Sequence, residues 1–238
     1  MNVIFDAKNQ PVSNRFLEKK HDLAPNFPMR IVKDDELNFL KLEKPFPLND
    51  IRPKYDWITC YEPEDHLDNL VQKIIQFDEV NQKSKIGAYS FKDDSTLIRL
   101  NQLGFQKTWR IQPIEDLGIV DPCANVETYQ DAFTIENTNR ILSKVGKSDV
   151  FIIRHVVEHS YNLKQFIENV KKLTKKGGLI VWELPDCRKS LQRGDCTMLW
   201  EEHIYYFTKI SFQNVLKKFG MNIVEIYSVS YPTEDCIV

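Results

Sequence analysis

Apolar positions first recur at helical spacing in the stretch from Glu64, where Leu67, Leu70, Val71, Ile74 and Ile75 follow Pro63. Residues three and four apart share a helix face, so this stretch predicts an amphipathic helix behind a proline that suits a first turn. Beyond it the period changes repeatedly. KIGAYS predicts a short strand, STLIRLNQLG a helix ending at Gly104, and KTWRIQP a second strand closed by Pro113. VETYQDAF predicts a weak strand and NTNRILSKVG a helix ending at Gly146. DVFIIRH is apolar without alternation, the pattern of a strand buried on both faces. Leu163, Phe166, Ile167 and Val170 mark the next helix face, with Lys175, Lys176 and the Gly177-Gly178 pair as its expected stop, since cations and glycine suit a helix C-terminus. LIVWELP predicts another buried strand, Phe212, Val215, Leu216 and Phe219 a helix ending at Gly220, and NIVEIYSV a further strand, with EDCIV beginning the last.

Strand and helix alternating this often predict an α/β, Rossmann-like fold: a mostly parallel sheet with helices on both faces. The first sixty residues read differently, because Pro11, Pro25, Pro28, Pro45, Pro47 and Pro53 repeatedly forbid long helices. They predict a small irregular N-terminal lobe over residues 1–62, with little core of its own, ahead of a main domain over 63–238. In open sheets of this kind ligands sit beyond the carboxyl ends of the strands, which makes the residues just after each strand the candidates for chemistry.

Charge narrows the partners. Lys plus Arg (32) nearly balance Asp plus Glu (34), so no net field draws the chain to nucleic acid or anionic lipid, and a small-molecule substrate fits better. MNVIFDAKNQ has no basic stretch followed by an apolar one, and no apolar run approaches membrane-spanning length, so a cytoplasmic protein without membrane contact is expected. The five cysteines, Cys60, Cys123, Cys187, Cys196 and Cys236, are scattered without a C-x-x-C pair; reduced thiols and no metal site are expected.

At the first strand end, Gly87 and Ala88 are small enough for backbone to approach a cofactor, with the N–H groups of the next helix start nearby; a plain turn glycine reads equally well. Gln112 stands at the second strand end, where nucleotide-binding folds place an acid that accepts from the ribose hydroxyls. Arg154-His155-Val156-Val157-Glu158-His159 closes the buried strand and matches H-x-x-E-H spacing, in which two histidines hold zinc; that motif belongs inside a long helix, whereas this one ends a strand. His155 reads as a polar residue satisfied at a strand end, and His159 as facing the crevice. In Trp200-Glu201-Glu202-His203-Ile204-Tyr205-Tyr206-Phe207, a carboxylate beside an imidazole among aromatics can tune it to accept a proton near neutral pH, which makes Glu202 and His203 candidates.

The segment from Asp149 to Phe207, with DVFIIRHVVEH, GGLIVWELPD and EEHIYYF, resembles the class I S-adenosylmethionine-dependent core of the bacterial sugar C-methyltransferases, which act on nucleotide-linked keto-deoxysugars. KIGAYSFKDDSTLIRLNQLGF resembles their donor-binding turn less firmly, and NQPVSNRFL resembles a phrase of their zinc-binding lobe. The resemblance implies S-adenosylmethionine as cofactor. It implies that Gly87 and Ala88 line its methionine part, that Gln112 lies beside its ribose and Asp131 near its adenine, and that Arg154 closes the pocket. His159, Glu202 and His203 fall on acceptor-side catalytic positions, and His155 and Trp200 beside the acceptor.

The departures are specific. The four zinc-binding cysteines of that family's lobe are absent, so a metal-free lobe is expected; the donor turn lacks its second glycine; Gln112 replaces a carboxylate and Trp200 a tyrosine. The resemblance also implies a C-terminal domain beyond Val238, and so a shortened relative. Carbon attacks a sulfonium methyl only when enolised, which calls for a base: His203 oriented by Glu202, with His159 stabilising the enolate oxygen. O-methyl transfer to a sugar or other small molecule, a non-catalytic binding module with a decayed donor site, and a metallohydrolase built on His155 and His159 stay open.

Overall fold

The computed structural model describes residues 2–55, 62–231 and 235–238. Cys60 lies outside the described residues. Strands β1 (Val3–Pro11) and β2 (Asn26–Lys33) form an antiparallel ribbon that β3 (Leu40–Leu42) extends, followed by the single turn α1 (Leu48–Ile51) behind Pro47. This corrects the expected irregular lobe. The strands escape a period-two reading because their register shifts between Val3 and Phe5 and again between Asp6 and Asn9, and each shift breaks the alternation. The prolines stop helices here without stopping strands. The lobe also has a core: Val12, Met29, Ile31, Leu42, Phe46 and Ile51, completed by Cys187, Met198 and Tyr206 from far along the chain.

The alternating part begins with α2 (Leu67–Ile75), β4 (Ile86–Ala88), α3 (Asp94–Gln102), β5 (Thr108–Arg110) and α4 (Pro113–Leu117). VETYQDAF forms no strand. Thr128 and Tyr129 bond back to the Asn125 carbonyl, and Ala132 and Phe133 to Tyr129 and Gln130, so local turns take the backbone groups that a ladder would need. Val126 through Gln130 are buried in succession, as in a plug rather than a strand.

Helix α5 (Ile135–Val145) starts on Thr134, whose side chain accepts from the Asn137 N–H, and ends at Gly146. Then come β6 (Ser148–Arg154), α6 (Leu163–Leu173), β7 (Thr174–Asp186), α7 (Arg188–Arg193), β8 (Tyr205–Tyr206), α8 (Lys209–Lys218), β9 (Ser228–Ser230) and β10 (Asp235–Ile237). The Lys-Lys-Gly-Gly stretch does not stop α6, which ends at Leu173; it lies within β7, where a Cβ on Gly178 would meet the Asp149 carbonyl at 2.7 Å. Close strand approach, not a helix cap, explains that glycine.

The main sheet runs β5-β4-β6-β7-β10-β9, parallel from β5 to β7, with β10 antiparallel to both its neighbours. Successive residues of β6 point to opposite faces. Val150 and Ile152 pack with Leu67, Leu70 and Ile74 of α2 and Leu97 and Leu100 of α3. Phe151 and Ile153 pack with Ile141 of α5, Phe166 and Val170 of α6, and Phe212 and Val215 of α8. Helices therefore cover both faces, and an apolar strand without alternation is what such a position requires. The second sheet, β1-β2-β3-β8, borrows its last strand from beyond β7. That loan brings the lobe to the carboxyl ends of the parallel strands. Among the described residues no helix is long and apolar enough to cross a membrane.

Candidate functional site

The turn after β4 is closed on itself. Ser90 Oγ accepts from the Lys92 N–H at 3.3 Å, while Asp93 Oδ2 accepts from the N–H groups of Tyr89 (3.1 Å) and Ser90 (2.8 Å). The N–H groups of Lys92 and Asp93 at the helix start are thus spent on Ser90, and those of Tyr89 and Ser90 on Asp93. Tyr89 lies fully buried, with its ring 5.3 Å from those of Phe133 and Phe166. A Cβ on Gly87 would strike Phe151, Ser148 and Trp109, each at 2.7 Å, so its smallness serves packing within the sheet. Ala88 is buried in the ladder between Arg110 and Ile152. Gln112 precedes α4, gives its N–H to Asp116 Oδ2 (2.8 Å) and is half-buried. Asp131 is exposed on the 3-10 turn 130–132.

At the ends of β6 and β7 stands a saturated ionic hub. Glu183 is completely buried and takes Arg154 Nε at 2.7 Å, His155 Nε2 and His66 Nε2 at 3.0 Å each, and the Tyr231 hydroxyl. Burial pushes the Glu183 carboxyl up, but the hydrogen bonds from His155 and His66 and the charges around it prevail and hold it well below the usual range. Arg154 Nη1 also donates to the Lys92 carbonyl at 2.6 Å, pinning the turn after β4. Arg154 thereby ties β6, β7 and the turn after β4 together. His155, whose φ of 50° sets it in the left-handed region, turns its Nε2 into this hub, while its Nδ1 lies 3.8 Å from Glu158 Oε1.

Beside the hub lies a second buried cluster that is not saturated. Lys92, drawn inside, pairs with Glu127 (2.7 Å) and Glu62 (3.1 Å). Next to it Glu158 is 2% exposed, and neither of its carboxylate oxygens has a hydrogen-bond partner among the described residues. Burial pushes its carboxyl up to about 8. Glu158 Oε1 lies 3.8 Å from His159 Nε2, and ligand-capable atoms of Glu158, His159 and His203 all fall within 4.8 Å of one another. The two imidazole rings meet edge to face at 4.7 Å. His159 Nδ1 lies 2.8 Å from the Glu202 carbonyl, which can only accept, so Nδ1 carries the proton and Nε2 keeps its lone pair. Burial lowers His159 to about 3, and burial together with the neighbouring His159 and Lys92 holds His203 well below the usual imidazole value. Both rings are neutral.

Sequence adjacency misled in one respect. No hydrogen bond joins the Glu202 carboxyl to His203 among the described residues; it meets Asn125, and burial pushes it up to about 8. Glu202 holds His159 instead, through its backbone. Trp200 is half exposed and contributes its carbonyl, which accepts from the His203 N–H at 3.1 Å. The ligand-capable atoms that gather here are those of Glu158, His159 and His203, and not the His155 and His159 pair that the motif spacing suggested. Glu158, Lys92, Glu62, Glu127 and Glu183 were missed. Glu158 stood inside the motif, and Glu183 was signalled by a lone charge in an apolar strand. A cavity of about 690 Å³ lies at the amino ends of β6 and β7, lined by Lys147, Gly178, Trp182, Leu216 and Ile226 among others, away from this chemistry.

The parallel sheet with helices on both faces and the polar groups gathered at its carboxyl ends agree with what sequence comparison finds. A methyltransferase-domain family model matches residues 94–226, more than half of the chain, so the chain belongs to the methyltransferase-domain family. It is an S-adenosylmethionine-dependent methyltransferase, with S-adenosylmethionine as the methyl donor. Curated proteins give no match. Among solved structures, a DhpI-SAM-HEP complex is 9% identical, covering 73% of this chain and 86% of that one at a TM-score of 0.38, a likeness too loose to bear on function.

Proposed function

We propose that this chain methylates a small acceptor that must first give up a proton, at a carbon of a nucleotide-linked keto-deoxysugar. The observation that carries this reading is the meeting of two neutral imidazoles, the buried His159 and the half-buried His203, beside Glu158, which has no hydrogen-bond partner among the described residues, at the strand ends where the fold family binds its donor. The donor's chemistry suits the orphaned groups there. Tyr89 Oη, Asp93 Oδ1 and Gln130 Oε1 are buried without a hydrogen-bond partner among the described residues, and S-adenosylmethionine brings an ammonium, an amino group and two hydroxyls as hydrogen-bond donors. Tyr89, Asp93 and Gln130 would hold it, with Ala88, Gln112 and Asp131 around them. When bound it supplies an electrophilic methyl group.

The chain's own residues prepare the acceptor. A carbon beside a ketone becomes nucleophilic when its proton leaves and charge gathers on the oxygen. His159 and His203 present lone pairs to take positive charge from the acceptor. Glu202, protonated near neutral pH because burial disfavours its anion, can donate to the developing oxyanion. Environments that push the acids up and the imidazoles down divide the roles between them.

The test is His203→Asn. Methyl transfer to a keto-deoxysugar nucleotide should fall by about 10² to 10⁴, while calorimetric affinity for the donor stays near that of the parent. Wild-type turnover would remove His203 from the reaction. Loss of donor binding as well would give the residue a structural role. Mass analysis of the product, with the methyl found on oxygen instead of carbon, would move the reading to O-methyl transfer, and a parent chain that binds no donor would favour a non-catalytic module.

A further inference from the structure

We propose that Glu158, His159 and His203 form a binding site for a divalent transition-metal ion, zinc foremost. The inference rests on the preceding reading only for the use to which the ion is put. Three observations support it. First, two imidazole nitrogens and one carboxylate are a donor set that borderline ions such as zinc take, and three protein ligands leave a position open for a substrate oxygen. Second, the atoms already lie close to the required shape: His159 Nε2 and Glu158 Oε1 are 3.8 Å apart, against about 3.3 Å for two ligands of a tetrahedral ion at bond lengths near 2.0–2.1 Å. Third, Glu158 is a buried carboxyl with both oxygens unpartnered, and a group left in that state without a ligand is costly.

The surroundings suit an ion as well. The bond between His159 Nδ1 and the Glu202 carbonyl fixes the ring and its tautomer, as outer partners of metal-bound imidazoles do. The one cation at hand, Lys92, is already offset by Glu127 and Glu62. The neighbouring trio of His155, Glu183 and Cys236 also gathers within ligand distance, but Glu183 there is committed to Arg154 and His66, so that trio has no carboxylate to spare. An ion held by Glu158, His159 and His203 would polarise an acceptor oxygen placed at its open position.

The experiment uses the whole chain, stripped with chelator and titrated with zinc chloride in the absence of donor and acceptor, with bound metal read by elemental analysis after gel filtration. One equivalent of zinc should be retained. Glu158→Gln, which keeps the side chain's size and interrupts no hydrogen bond among the described residues, and His203→Asn should each weaken binding by about a hundredfold or more. Cobalt substitution should give the visible bands of a nitrogen and oxygen site without a thiolate charge-transfer band. Zinc retained equally by the parent and both variants, no retention by the parent, or loss on Cys236→Ser but not on Glu158→Gln would each overturn the proposal. A chain that binds zinc through Glu158 but transfers no methyl group sinks only the methyl-transfer reading. Full turnover after chelation sinks only the metal.

Discussion

Glu158 and Glu183 are both buried carboxylates at the carboxyl end of the main sheet, yet they have been settled in opposite ways. Glu183 is surrounded by Arg154, His66, His155 and Tyr231, and its acidity is strengthened; Glu158 has no hydrogen-bond donor and its acidity is weakened. The first cluster uses its charge to tie β6, β7 and the turn after β4 together. The second keeps its bonding capacity unspent. Saturation marks a structural group, and buried unsatisfied polarity in the same neighbourhood marks a group arranged for something that arrives later.

The sharpest way to break that contrast is a pair of isosteric substitutions. Glu183→Gln should cost about 3–5 kcal/mol of unfolding free energy, because it strands the Arg154 charge in the interior, whereas Glu158→Gln should leave stability unchanged or raised. Denaturant unfolding of both variants gives the comparison, and equal losses would erase the distinction. Acidity offers a second handle. A carboxyl whose folded value is depressed stabilises above its ordinary value of 4.5 and loses that contribution as pH falls toward the folded value. The stability gap between parent and Glu183→Gln should therefore be widest near neutrality and narrow below about pH 4.5, followed by the unfolding midpoint against pH. A gap that widened in acid would contradict the sign. A smaller effect separates packing from ligand space: Gly87→Ala should cost about 1–3 kcal/mol by overpacking against Phe151 and Trp109, with donor affinity preserved in the folded protein. Selective loss of donor affinity would return Gly87 to the binding surface.

The parallel core was legible because its signal is local. Helix faces at α2, α5, α6 and α8 and the unbroken apolar run of β6 need only neighbouring residues to be read. The lobe was misread where register shifts in β1 erased alternation, and VETYQDAF where the Asn125 turns outbid weak strand propensity. His159 stood out at the end of a buried strand, and His203 as an imidazole beside a carboxylate among aromatics. Their partner did not, because which carboxylate meets an imidazole depends on how three separate segments fold together: Glu202 adjoins His203 in sequence, but Glu158 adjoins it in space.

The clasp between the lobe and the β8 segment sets the order in which this centre can come into being. Glu201 accepts from both the N–H and the hydroxyl of Ser13, and Tyr205 and Tyr206 complete the ribbon started by β1 and β2. Closing a loop between positions 13 and 201 is among the longest-range events available to this chain, and such contacts form late because their entropy cost precedes their reward. During synthesis the turn after β4 and the end of β6 leave the ribosome well before His203 does. A nascent chain can thus hold a folded donor half for some time while Glu158 and His159 still lack their third companion.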